Sequence, residues 1–264
     1  MDYSKIKMVI TDMDGTLLNN DHKVSDRFFE IFQELKKRNI LFVAASGRQY
    51  HSIVDKLNAI KKDIIVVSEN GGFIMQDGKE ILSTPLPLKT HKEILSILDN
   101  VENIYPVLCG KNKAYARSGN PQFTNKLKEY YTEYELLDDL NDFEDEILKI
   151  AIYHFESSEK YIYPAVSHLD GLLKVKISGA NWVDISSRNA NKGYAIEKVM
   201  RLNNIKPEEI VVFGDYNNDL EMLALTENSF AMKNAHANVL EAANYTTTSN
   251  DDFGVERILE NIIK

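Results

Sequence analysis

Met8-Val9-Ile10-Thr11-Asp12-Met13-Asp14-Gly15-Thr16-Leu17-Leu18 is the stretch that decides the fold. An apolar run rich in β-branched residues stops at two aspartates spaced i, i+2, followed by a glycine and a threonine. The run predicts a buried strand, and Asp-x-Asp-Gly-Thr the loop that leaves its C-terminal end. In open α/β sheets that edge is where ligands bind. Two carboxylates placed there repel each other and lose solvation, a cost that a bound cation relieves. A turn built on local hydrogen bonds accounts for Asp14-Gly15 but leaves Asp12, at the strand end, unexplained.

Working outward, Ser25 is a candidate N-cap, and Phe28, Ile31, Phe32 and Leu35 fall at helical spacing. Asn39 ends that helix, and residues 40–45 form a second continuous apolar strand, the order expected of a parallel crossover unit. This strand runs into Ser46-Gly47-Arg48, where small residues leave backbone N–H groups free for an anion. A third strand, residues 64–67, ends in Ser68-Glu69-Asn70-Gly71-Gly72. Much later Lys192-Gly193 opens a helix, and Ile210-Val211-Val212-Phe213 is a fourth buried strand ending in Gly214-Asp215-Tyr216-Asn217-Asn218-Asp219. The pattern predicts an α/β fold with a Rossmann-like parallel-sheet core.

Between these parts the texture changes. Pro85 and Pro87 bracket a connection, after which segments are shorter and more amphipathic. Helices are expected around residues 89–101, 121–137 and 158–169, with Asn120-Pro121 as a helix start. Strands are expected at 104–109, 113–117, 148–154, 172–177 and 182–185. The alternation Leu173-Lys174-Val175-Lys176-Ile177 suggests a sheet with one solvated face. Residues 84–186 therefore read as an inserted α+β domain, and residues 1–83 and 187–264 as the core.

The chain has 264 residues, enough for one large or two modest domains. Its formal charge of −9 argues against a broad nucleic-acid or acidic-membrane surface, while a local metal and a few Lys or Arg can still hold a small anion. Cys109 is the single cysteine, so no intrachain disulfide is possible and a reducing cytoplasm is the simplest setting. Apolar runs are strand-length, which supports neither secretion nor membrane spanning.

If the strands ending at Asp12 and Asp215 are neighbours, Asp12, Asp14 and Asp215 can share one octahedral Mg²⁺ with waters and a substrate oxygen. Asp219 reads equally well as an acid set against a helix dipole. Lys192 opposes the dipole of its helix, a small penalty that gains a purpose beside a metal–phosphate site. Arg48 has a weaker case of the same kind, against an ordinary surface salt bridge. The six histidines show no metal spacing and are taken as non-catalytic, and Cys109 as a small core residue. Neither a Gly-x-Ser-x-Gly elbow nor a Gly-x-x-x-x-Gly-Lys-Ser/Thr loop is present, which disfavours serine hydrolases and nucleotide-driven enzymes.

Asp12-Met13-Asp14-Gly15-Thr16, Ser46, Lys192 and Gly214-Asp215 with Asn218-Asp219 together resemble the four motifs of the haloacid dehalogenase superfamily. The insert after the third strand resembles that of the Cof-type phosphatase branch, which implies that residues 84–186 are an inserted α/β cap domain that sets substrate specificity. The resemblance implies that Asp12 attacks phosphorus to form an aspartyl phosphate and that Asp14 serves as acid and then base. It implies Mg²⁺ on Asp12, Asp14 and Asp215, the Asp14 position meeting the metal through its backbone carbonyl or side chain. Phosphate would lie on Ser46, Gly47, Lys192 and Asn218, with Thr16, Arg48 and Asp219 in support. Dehalogenases of the superfamily lack the second aspartate, so Asp14 favours phosphoryl transfer. The sequence departs from relatives at Ser187-Arg188-Asn189-Ala190-Asn191 and at Tyr216-Asn217.

The expected function is hydrolysis of a small phosphorylated metabolite, such as a sugar phosphate, by a monomer or homodimer. A phosphomutase on the same core is the alternative, and a non-catalytic metabolite-binding module a third. The mutase would want an anion-binding cap, whereas Lys111, Lys113, Arg117, Lys174 and Lys176 look scattered over a solvated face.

Overall fold

The computed structural model describes residues 2–264. The chain lays down β1 (Met8–Thr11), β2 (Leu41–Ala45), β3 (Ile65–Ser68), β4 (Phe73–Gln76) and β5 (Lys79–Ser83). It continues with β6 (Ile104–Gly110), β7 (Ala114–Arg117), β8 (Tyr134–Leu137), β9 (Ile147–His154), β10 (Lys174–Gly179) and β11 (Trp182–Ser186). It closes with β12 (Ile210–Gly214), β13 (Ser229–Ala231) and β14 (Tyr245–Thr246). Two compact units result: one runs to Leu82 and resumes from Asn191 to Lys264, the other is Ser83–Ala190.

The first unit holds an eight-stranded sheet in the order β14-β13-β12-β1-β2-β3-β4-β5. β1 pairs parallel with β12 on one side and β2 on the other, Thr11 standing level with Phe213 and Ala44. The chain thus builds outward from β1 in one direction, then returns to build in the other, which makes β1/β12 a topological switch point. Both faces are buried, which is why these strands are continuously apolar and not alternating. Val9, Phe42, Val66 and Val211 pack with Phe28, Ile31, Phe32 and Leu35 of the helix Asp26–Lys37. Met8, Ile10, Val43 and Val212 pack with Ala195, Ile196 and Val199 of the helix Lys192–Leu202. Ser25 caps the first of these helices, its Oγ accepting from the Phe28 N–H at 3.0 Å. The antiparallel pair β3–β4 was not foreseen, since Phe73-Ile74-Met75-Gln76 follows a glycine pair that reads as loop.

The second unit holds a six-stranded sheet in the order β10-β11-β9-β6-β7-β8. One face packs on the helix Leu88–Leu98 and the short helices near Ile162 and Val166. The other carries an aromatic cluster with Phe123 and Leu127 of the helix Pro121–Tyr130. The helix expected over 121–137 stops at Tyr130, because Tyr134–Leu137 pairs parallel with β7 instead. The helix expected over 158–169 is broken into Ser158–Tyr161, Tyr163–Val166 and the 3₁₀ turn Ser167–Leu169. Pro164 has no N–H to donate there and forces a new helix start. Cys109 is fully buried among apolar side chains, as its strand position implied. Among the described residues no helix is long and apolar enough to cross a membrane.

Candidate active site

The parallel register lifts four loops of the first unit to one sheet edge. Asp12 is the first residue past β1, and its N–H still donates to the Phe213 carbonyl at 3.1 Å. Gly214 ends β12, so Asp215 emerges beside it. Two glycines make the approach possible. Gly15 has φ +75, and a Cβ there would collide with the Asp215 carboxylate. A Cβ on Gly214 would come within 2.6 Å of the Asp219 Cβ. Thr16 ties the two loops together by donating its hydroxyl to Asp215 Oδ1 at 3.2 Å.

Lys192 is the centre of charge. It is wholly buried at the first position of its helix, with its Nζ 2.5 Å from Asp12 Oδ1 and 2.7 Å from Asp219 Oδ1. Asn191 caps that helix, its Oδ1 accepting from the Tyr194 N–H at 2.7 Å, so the unusual residues before Lys192 form a regular start. Burial alone would lower the lysine's pKa, but Asp12 and Asp219 outweigh it and hold the ammonium charged. Asp219 spends its other oxygen on the backbone N–H groups of Asp215 (2.9 Å) and Tyr216 (3.1 Å).

Carboxylate oxygens of Asp12, Asp215 and Asp219 lie within 4.8 Å of one another. Burial, and then the neighbouring carboxylate of Asp219, push the Asp215 carboxyl up to about 6. Asp12 is raised well above the carboxylate range, chiefly by burial, with Lys192 opposing. Three acids facing one ammonium leave excess negative charge, and a hard divalent cation with oxygen ligands fits that need. Asp12 and Asp215 are the available donors, since both oxygens of Asp219 are engaged.

Asp14 departs from expectation in its side chain. Its carboxylate is outside this cluster and gripped by Arg48, whose Nε and Nη2 each donate at 2.6 Å. His22, set aside from the sequence, adds its Nδ1 at 3.3 Å. Burial would raise the Asp14 pKa, but Arg48 outweighs it and holds the group below the usual range. The Asp14 side chain, expected to share a metal with Asp12 and Asp215, is thus bound to Arg48 and stands outside the group Asp12, Asp215 and Asp219. Arg48 also donates its backbone N–H to Ser46 Oγ at 3.1 Å, so the loop that its side chain ties to Asp14 is itself closed by a local bond.

The sequence reading also passed over Asn70. Its N–H donates to the Ser46 carbonyl at 3.0 Å, and its Oδ1 accepts from Asn218 Nδ2 at 3.0 Å. A Cβ on Gly47 would stand 3.0 Å from the same Oδ1. Asn70 therefore joins Ser46, Gly47 and Asn218, the residues expected to hold phosphate. Its signal was an asparagine before Gly-Gly at a strand end, and it adopts φ 54, a left-handed conformation asparagine tolerates.

The chain is similar to known phosphatases and hydrolases over nearly its whole length. The 5-amino-6-(5-phospho-D-ribitylamino)uracil phosphatase YbjI of Escherichia coli is 30% identical over 262 residues, spanning 98% of this chain and 97% of that one. The phosphatase of the same description YitU of Bacillus subtilis is 26% identical, over 97% of each chain. The solved structure of SMU.1108c from Streptococcus mutans superposes with a TM-score of 0.87 at 28% identity, covering 97% of this chain and 98% of that one. The haloacid dehalogenase-like hydrolase family matches residues 9–259, nearly the whole length. With an aspartate-headed β1, a buried lysine and an acidic loop after β12 at one sheet edge, the chain belongs to the haloacid dehalogenase-like hydrolases, in their Cof-type branch.

Proposed function

We propose that the protein is a Mg²⁺-dependent phosphatase of small phosphorylated metabolites that works through an aspartyl phosphate on Asp12. The observation that carries this reading is Asp12 itself: it sits at the β1/β12 switch point, held by a fully buried ammonium in a cluster short of positive charge. An Asp12 oxygen attacks phosphorus in line, and the bond to the leaving oxygen breaks. Lys192 fixes the carboxylate and neutralises charge as the phosphoryl group arrives. Asp14, ionised while Arg48 holds it, would take up a proton from solvent as that contact opens, give it to the leaving oxygen, and then take one from the water that cleaves the acyl phosphate. Arg48 fixes where the Asp14 carboxylate lies, so the pair has to part on one oxygen for that transfer.

Asp12, Asp215 and the Asp14 backbone carbonyl would hold Mg²⁺, which would offset the negative charge of cluster and phosphate. Ser46, the Gly47 amide and Asn218, braced by Asn70, would seat the phosphoryl oxygens. The residues 84–186 would act as the cap that sets specificity, and the relatives named for a ribitylaminouracil phosphate make sugar-alcohol and sugar phosphates the first substrates to try. The test is phosphate release across a panel of such esters. Turnover should vanish in Asp12→Asn and on removal of Mg²⁺ with EDTA. Undiminished hydrolysis after either treatment would end the proposal, and isomer exchange without phosphate release would favour a mutase.

A further inference from the structure

The carboxylates of Asp12, Asp215 and Asp219 repel one another, and Lys192 meets only two of them. The loops that carry them therefore need support from their backbones. The segment that follows β13 supplies it. Met232 donates its N–H to the Gly214 carbonyl at 3.1 Å, and His236 donates its N–H to the Asp215 carbonyl at 2.8 Å. Between them Asn234 reaches across to the other loop, its Nδ2 donating to the Gly15 carbonyl at 2.8 Å. Five consecutive residues thus hold the backbone on both sides of the Asp12/Asp215 pair.

Asn234 is itself held. Its Oδ1 accepts from the Asn250 N–H at 3.1 Å, which turns the amide nitrogen toward Gly15. Asn250 is buried and donates its Nδ2 to the Leu18 carbonyl at 2.9 Å, and Asp251 accepts from the Asn20 N–H at 2.9 Å. Residues 15–20 are therefore tied at both ends to the C-terminal part of the chain. The tie matters most at Gly15, because glycine has the widest backbone freedom. A hydrogen bond on its carbonyl fixes the Gly15–Thr16 peptide plane, next to the Thr16 hydroxyl that bonds Asp215 and to the Asp14 carbonyl. The two bonds of Asn234 need a donor and an acceptor on one short side chain. Aspartate lacks the donor and alanine lacks both. Asn234 is exposed, so either change leaves the packing of the core alone.

We propose that Asn234 is a positioning residue of the site. By splinting the Gly15 and Asp215 backbones it sets the spacing at which Asp12, Asp215 and the Asp14 carbonyl accept a divalent cation, and Asn250 is its anchor. The cation's identity rests on the phosphatase reading, whereas the splint does not.

The experiment compares the full chain with Asn234→Asp and Asn234→Ala. Calorimetry titrates Mg²⁺ without substrate, and phosphate release from p-nitrophenyl phosphate and the sugar esters is followed against Mg²⁺ concentration. Hydrogen exchange reads the amides of Thr16, Leu17 and Leu18, which bond back to Met13 and Asp12. Charge alone predicts that the carboxylate added in Asn234→Asp draws Mg²⁺ more tightly. Positioning predicts the reverse. Loss of the bond to Gly15 should weaken Mg²⁺ binding about fivefold in both variants and speed exchange of the three amides by a similar factor. Turnover should fall at limiting Mg²⁺ and recover in excess, with little change in melting temperature. Tighter Mg²⁺ binding by Asn234→Asp would overturn the proposal, as would a lowered melting temperature with Mg²⁺ affinity and exchange unaltered. A parent that neither binds Mg²⁺ nor releases phosphate from any ester would refute the phosphatase reading alone, and hydrogen exchange would still decide whether Asn234 holds the loop.

Discussion

Replacing Lys192 with methionine tests the charge logic of the site most directly. The substitution keeps the stem's volume and removes the one cation that, among the described residues, touches both Asp12 and Asp219 in the buried network. Removing one partner of a buried ion pair costs about 3–5 kcal/mol, because the remaining charge stays desolvated. Here two carboxylates lose their partner at once, with Asp215 beside them. A domain of this size loses roughly 2–4 °C per kcal/mol, so the melting temperature in EDTA should fall by about 10 °C or more. Adding Asp219→Asn removes one orphaned charge, and the double variant should recover part of the loss instead of adding to it. Lowering the pH toward 5 should narrow the gap too, as Asp215, pushed up to about 6, takes a proton. Calorimetry and urea titration read all three. A single variant that melts within 2 °C of the parent, or losses that simply add, would show that the network is not held by Lys192.

Other tests address single features. Without metal, folded Asp215 takes its proton near pH 6 and the unfolded group near 3.8, so its contribution to stability rises as pH falls through that window. Asp215→Asn should flatten that part of the melting-temperature profile, and an unaltered slope would exclude it. His91, 4% exposed with neither ring nitrogen hydrogen-bonded, has its pKa lowered by burial and by Lys92, so stability is lost as pH falls below about 6.5. His91→Phe should remove that loss, and an acid sensitivity equal to the parent's would count against it. Gly15→Ala should abolish activity through collision with Asp215, while Gly78→Ala, whose φ is +72 with open space around it, should cost about 1 kcal/mol and leave turnover intact. Equal activity in the two would contradict the close-approach argument.

Much of the core was legible because parallel strands buried on both faces must be apolar throughout, and helices that cover them must repeat at helical spacing. Val9, Phe42, Val66 and Val211 announce themselves that way. Asp12, Asp215 and Lys192 stood out for the opposite reason, since charge at the end of an apolar strand or at the wrong end of a helix is costly and calls for an explanation, whereas Asp219 read equally well as an acid set against a helix dipole. What escaped were features set by partners distant in sequence. Nothing in Asp14 foretells that Arg48 holds it, or in Asn70 that it bridges to Asn218. Residues 131–137 looked helical because their pairing with β7 is a tertiary choice. Lys174 and Lys176 looked dispersed until strand register placed them in rows beside Lys149 and Asp184.

The position of β1 has a consequence for how the protein is made. Its hydrogen-bonding edges are filled by β2 on one side and β12 on the other, the latter more than 190 residues later. During synthesis, Ser83–Ala190 is complete before β12 exists, while β1 waits with one bare edge able to pair with another chain. Lys192 and Asp215, which reach back 180 and 199 residues to Asp12 and Thr16, are also late arrivals. Assembly of the site therefore waits for β12, and a nascent chain halted before residue 210 would carry Asp12 on a strand paired with β2 alone.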